Sequence, residues 1–188
     1  MKHPDSKGNC KDLILDAAEF VVMEVGAAHM SLDVVAKKAG ISKGGLLYHF
    51  PGKADLLKAM LNRMVKEFFQ ERENNLKNFP EGKGRFLKAG VASVLDCNAR
   101  KERMRLSLLV ATAEALDLLD PVRQGYKDYF DQLQASGLPF ERAAVVALAS
   151  DGLMFNELFK IAPFTSVQRK RIKNEMIKMI DEMESGKE

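Results

Sequence analysis

The stretch Ala39–Leu57, AGISKGGLLYHFPGKADLL, holds four glycines, two lysines and the run Tyr48-His49-Phe50. Glycines beside lysines serve two kinds of site: a loop that wraps a nucleotide phosphate, or a helix start brought up against a nucleic acid. The phosphate loop needs G-x-x-x-x-G-K-[ST] after a buried strand, so that its lysine and hydroxyl meet phosphates and magnesium. Here Lys43 precedes Gly44 and Gly45, no Ser or Thr follows Lys53, and the residues before have helical spacing. The order is wrong for that loop.

A helix, a turn and a second helix fit better. Gly40 ends one helix, Ile41 tucks between the two, and Ser42 caps the next. Leu46 and Phe50 are four apart, share a face, and are expected to pack on Val34, Val35 and Ala39. Lys43, Leu47, Tyr48 and His49, with Gly44 and Gly45, are left on the other faces, as entry into a major groove requires. Each glycine costs the helix about 1 kcal/mol relative to alanine. Lacking side chains, the glycines let the backbone N–H groups approach a phosphate closely. A charged surface turn between packed helices is the competing reading, and spacing alone leaves it open.

The rest of the chain narrows the choice. With 188 residues, 46% hydrophobic and 29% charged, it can bury a core as one domain, or one domain with a small appendage. A net charge of +3 is too weak to name a polyanionic partner. The distribution says more. Lys37, Lys38, Lys43 and Lys53 lie in one short window without an acid, and elsewhere bases and acids nearly cancel. Cys10 and Cys97 show no disulfide-framework spacing, which suits a reducing compartment. The first twelve residues hold no signal-peptide core, and no apolar run is long enough to span a membrane. A cytoplasmic protein without a membrane partner is expected.

Helical spacing recurs throughout, so the expected fold class is all-α with about nine helices. The helices are expected near 12–25, 31–40, 43–50, 54–79, 85–97, 103–119, 121–135, 139–162 and 166–184. Short helices precede residue 53 and longer ones follow it. The natural division is a helix-turn-helix domain over 1–53 and a helical bundle over 54–188.

At this point a resemblance enters. ILDAAEFVVMEVGAAHMSLDVVAKKAGISKGGLLYHFPGKADLLKAML, residues Ile14–Leu61, resembles the N-terminal DNA-binding domain of TetR-family transcriptional regulators. It is carried by IL-x-AA with a later glycine, VA-x-x-AGISKG, YHF, and K-x-x-LL. It covers about a quarter of the chain. Beyond it the layout alone is similar, although ASDGLMFNELF looks like a late helix of one subgroup.

The resemblance implies a ligand-responsive regulator, most often a repressor, that binds a palindromic operator in double-stranded DNA as a homodimer. It implies that Ser31 and Ser42 cap helices and bond phosphates, and that Lys43 and Gly44 meet DNA at the start of the recognition helix. Tyr48 and His49 would touch backbone or base edges, and Lys53 a phosphate. Lys43, Gly45, Leu47 and Tyr48 would be the residues placed to discriminate bases. One position departs from the family pattern: a tyrosine usually follows the residue matching Leu46, and here that position is Leu47, with Tyr48 next.

In this family the later helices enclose a small-molecule site. Candidate lining residues are Phe69, Phe86, Met104, Leu108, Ala111, Phe130, Met154, Phe155 and Phe159, with Ser107, Glu114 and Asp151 as polar contacts. Candidate dimer contacts lie in the last two helices, in ERAAVVALASDGLMFNELF and in the stripe Ile172, Met176, Ile177, Met179, Ile180 and Met183. The same stripes would also serve one chain's own core. With three histidines, no HExxH and no nucleophile elbow, the chain reads as no enzyme, with neither cofactor nor metal. A reactive Cys97 beside Arg100 and Lys101, and a protein-binding helical adaptor, are the weaker alternatives.

Overall fold

The computed structural model describes residues 6–95, 99–112, 115–162 and 164–186. Among these residues there are nine α-helices and no strand. They are α1 (Ser6–Val25), α2 (Leu32–Ala39), α3 (Lys43–His49), α4 (Lys53–Leu76), α5 (Arg85–Leu95), α6 (Ala99–Ala111), α7 (Asp120–Ala135), α8 (Phe140–Leu158) and α9 (Ser166–Glu184). The chain forms two compact units: Met1–Val65 with Arg100–Val122, and Lys66–Ala99 with Arg123–Glu188.

In the first unit, local chemistry sets the helix ends. Ser31 Oγ accepts from the Val34 N–H at 3.3 Å and Ser42 Oγ from the Gly45 N–H at 3.1 Å, satisfying donors that a helix start leaves open. Gly40 turns the chain with φ +69°, a left-handed conformation that costs a side-chain-bearing residue about 1–2 kcal/mol. The N–H of Ile41 then returns to the Ala36 carbonyl and that of Gly40 to Lys37, closing the end of α2. The core gathers Ile14, Ala18, Val21, Val22, Val35, Leu46, Leu56 and Leu61. Val34 does not join it. It is half exposed, because the inward face of α2 runs through Val35, Ala36 and Ala39, and Val34 lies one step round the helix. Arg63 ties α4 to α1 through Asp16, at 2.6 Å, and Glu19.

Residues 100–122 contribute Leu108 and Leu118 to this same core. The helix expected over 103–119 is broken within that stretch. The Thr112 hydroxyl donates to the carbonyls of Leu108 and Leu109, and the Thr112 N–H bifurcates between the same two acceptors. The α-helix ends at Ala111, and a 3-10 turn over Leu116–Leu119 leads into α7.

In the second unit α5 is the central element. Every residue from Leu87 to Leu95 is buried, as expected of a helix enclosed on all sides. Gly90 lets Tyr129 approach: a Cβ there would lie 2.7 Å from the phenolic oxygen. Lys88 is buried and reaches Asp181 at 2.5 Å and Glu184 at 3.0 Å on α9. Burial works to lower the Lys88 ammonium's pKa, but hydrogen bonds to the two carboxylates outweigh it and hold it above its ordinary value. Glu184 is correspondingly held below the usual carboxylate range, chiefly by the Lys88 hydrogen bond. Thr165 and Gln168 form a reciprocal cap that starts α9, and Arg169 pairs with Glu157 of α8 at 2.6 Å.

Candidate functional site

The opening stretch folds as a two-sided helix. On α3, Leu46 is fully buried and Phe50, at its C-terminal cap, nearly so, both within the first core. Ser42, Lys43, Gly44 and Leu47 are exposed, Tyr48 is 70% exposed, and Gly45 and His49 are half-buried. The Tyr48 and His49 rings meet edge to face at 5.1 Å. Ser42 Oγ lies 3.3 Å from where a Cβ on Gly45 would stand, so glycine leaves the capping hydroxyl its room. Ser31, Lys37 and Lys38 add exposed polar and cationic groups on α2 and its cap, the Lys38 ammonium standing over the Phe20 ring.

Two partners in this unit escape local sequence reading. Lys43 Nζ lies 3.0 Å from Asp33 Oδ2, an acid outside the acid-free window but brought beside it by the turn. Lys53 Nζ donates to the Ala28 carbonyl at 2.8 Å, tying the start of α4 to the loop after α1. Ten and 25 residues separate these pairs, so no helical spacing announces them.

The residues proposed from sequence as effector contacts fall into both units. Met104, Leu108 and Ala111 belong to the first core or pack on it, and Ser107 is half-buried. Phe86, Phe130 and Met154 pack on the second core. Phe69 meets Phe68 edge to face, and Phe155 stacks on a half-exposed Phe159. Asp151 accepts the Tyr126 hydroxyl proton at 2.9 Å. Burial raises the Asp151 carboxyl, with the Tyr126 hydrogen bond pulling the other way, and burial likewise raises both Tyr126 and Tyr129. Glu114 and Cys97 lie outside the described residues.

Partly buried aromatic rings gather against the aliphatic core of the second unit. Phe86 stacks on Tyr129 with centroids 5.3 Å apart, and Tyr129 meets Phe130 edge to face at 5.4 Å. Among them sits Arg72, a buried cation that sequence reading did not single out. Its signal was present in FFQER, an arginine on the apolar side of a long helix, but an arginine at such a place usually reaches solvent. The α8 and α9 stripes divide by face. Ala143, Val146, Ala147 and Leu153 of α8 and Met176, Ile180 and Met183 of α9 are buried in this unit's own core, while Val145 and Leu148 of α8 are exposed.

A capped helix, a glycine turn and a short second helix with one buried and one exposed polar face define a helix-turn-helix DNA-binding type. The family model described as bacterial regulatory proteins, tetR family, matches residues 14–60, and that of the tetracyclin repressor-like C-terminal domain matches residues 84–181. The chain belongs to the TetR family of bacterial regulatory proteins. It is 28% identical over 140 residues to the HTH-type transcriptional regulator TtgR of Pseudomonas putida, a match spanning 73% of this chain and 63% of that protein. Two further curated regulators of Pseudomonas putida match over 48 residues, spanning 22% and 36% of their own lengths. A solved transcriptional regulator of Rhodococcus sp. Rha1 superposes with a TM-score of 0.73 at 21% identity, covering 94% of this chain and 96% of the other. The multidrug binding protein EbrR, solved with imidazole, superposes with a TM-score of 0.69 at 21% identity over 93% and 90% of the two chains. No described helix is long and apolar enough to cross a membrane.

Proposed function

We propose that this regulator is a repressor that binds a palindromic operator as a homodimer and leaves it when a small apolar or amphipathic effector binds. The observation that carries the reading is the sidedness of α3. Leu46 and Phe50 anchor it, so Lys43, Leu47 and Tyr48 are held outward on a fixed frame. On this reading Ser31, Ser42, Gly44, His49 and Lys53 position the protein on phosphates, and Lys43, Gly45, Leu47 and Tyr48 meet base edges. Leu47 suits contact with a thymine methyl. As functional divisions, residues 1–53 read DNA, and residues 54–188 take up effector and partner inside the cell.

The dimer forms through the last two helices, with Val145, Leu148 and the small residues Ala149 and Gly152 of α8 supplying the outward apolar stripe. The effector is held among the aromatic and thioether side chains of the second unit, Phe86, Phe130 and Met154, by analogy of fold with the multidrug binding protein EbrR. The chain of α4 runs through both compact units, so it is the element through which effector and operator oppose each other, with a coupling of about 1–3 kcal/mol.

The test begins by selecting bound fragments from genomic DNA and titrating affinity against salt. Affinity falls steeply as salt rises, with a slope counting phosphate contacts. The double change Lys43→Ala with Tyr48→Ala lowers specific affinity about a hundredfold while helical content is kept. Undiminished binding in that variant removes α3 as the reading helix.

A further inference from the structure

A guanidinium does not shed its charge, so a buried arginine is stable only where something answers both its charge and its N–H donors. Arg72 is 3% exposed. Its guanidinium carbon lies 4.3 Å from the ring centroid of Phe86, 4.5 Å from that of Phe69 and 5.3 Å from that of Tyr129. Ring faces attract the charge but offer the N–H groups no conventional acceptor. Nη1 accordingly has no hydrogen-bond partner among the described residues.

Arg63 and Arg169 also carry one unbonded nitrogen, but each lies 2.6 Å from a carboxylate, of Asp16 and Glu157 respectively. The acid that acts on Arg72, Glu73, is instead its exposed chain neighbour. Burial lowers the Arg72 pKa, with Tyr129 and Glu73 opposing. The site is therefore a desolvated cation with a free donor in an aromatic cage.

A cleft of about 330 Å³ adjoins the cage at Phe86 and is lined as well by Leu76, Lys83, Arg85, Gln132 and Ser136. Leu76 stands one turn beyond Arg72 on the same face of α4. The charged lining residues are both cations. Arg85 is partly engaged, its Nε donating to the Leu76 carbonyl at 3.0 Å and its Nη1 to the exposed Glu81. The cleft is open to solvent, and it meets the cage at Phe86 without reaching Arg72 itself.

We propose that Arg72 anchors an amphipathic organic carboxylate. The carboxylate takes the open donor of the guanidinium, the apolar body lies against Phe69, Phe86 and Tyr129, and the cleft at Phe86 is the way in. This names the chemical class of the effector and rests on the reading above for its effect on operator binding, though not for binding itself.

Calorimetric titration of the full chain with benzoate, 2-naphthoate, octanoate and dodecanoate, each beside its primary amide, tests it. The aryl and acyl arms separate the two sources of the same head group. At least one acid is expected to bind ten times more tightly than its amide. Arg72→Met abolishes that preference, and Arg72→Lys keeps part of it. Equal binding of every pair, no binding by any acid, or a preference that survives in Arg72→Met overturns the proposal. The wild-type comparison decides it even if Arg72→Met does not fold. Operator release by amides as readily as by acids sinks the carboxylate and leaves effector-controlled release standing. An acid held by Arg72 that releases no operator does the reverse.

Discussion

Lys43 and Asp33 form an ion pair whose two side chains are both more than half exposed. A pair so solvated contributes about 1 kcal/mol or less, and salt weakens it further. Its consequence lies in DNA binding, since an ammonium held by a carboxylate must exchange it for a phosphate. Asp33→Asn is expected to strengthen operator binding about two- to fivefold at low salt, with the gain shrinking as salt rises, measured by fluorescence anisotropy. Weaker binding in that variant would mean that Asp33 orients Lys43 instead of competing with DNA for it.

At the scale of the element, α8 is apolar on two sides for two reasons. Ala143, Val146, Ala147 and Leu153 face the second core, while Val145 and Leu148, three apart, stand 60% and 56% exposed with Gly152 open beside them. An outward stripe of that kind is unfavourable in a lone protomer and favourable once covered. Val145→Glu with Leu148→Glu is expected to keep the helical circular dichroism and to move the sedimentation coefficient from dimer to monomer. A dimer that persists at micromolar concentration would place the contact elsewhere. The α9 stripe behaves differently, since Met176, Ile180 and Met183 are already enclosed by their own chain.

At the scale of the whole molecule, the chain builds two cores from four segments, crossing between units at 65/66, 99/100 and 122/123. Within the second unit, Lys88 holds α5 to α9 across 96 residues of sequence through Glu184. Because Glu184's folded pKa lies below its ordinary 4.5, the unfolded chain takes up the proton first as pH falls. The stabilisation is complete above about pH 5 and is lost as pH drops through the folded value. Glu184→Gln should therefore lower the melting temperature at pH 7 and flatten its decline between about pH 5 and pH 3. Parallel melting curves for variant and wild type across that range would deny Glu184 this part in acid unfolding.

How much of this was legible in the chain depends on distance along it. Apolar periodicity determined the helices, the Ser31 and Ser42 hydroxyls and Gly40 determined their ends, and the four-residue spacing of Leu46 and Phe50 determined which face of α3 turns inward. Those features are settled within one or two turns of backbone, where helix pitch alone sets the neighbours. The break after Ala111 was harder to read, because in LLVATAEALDLL the apolar pattern runs on past Thr112. Tertiary structure alone decided that Asp33 would meet Lys43, that Arg72 would be walled by rings from α4, α5 and α7, and that residues 100–122 would join the first core. Such encounters follow from where the path of the chain brings separate helices together, and no local periodicity encodes that path.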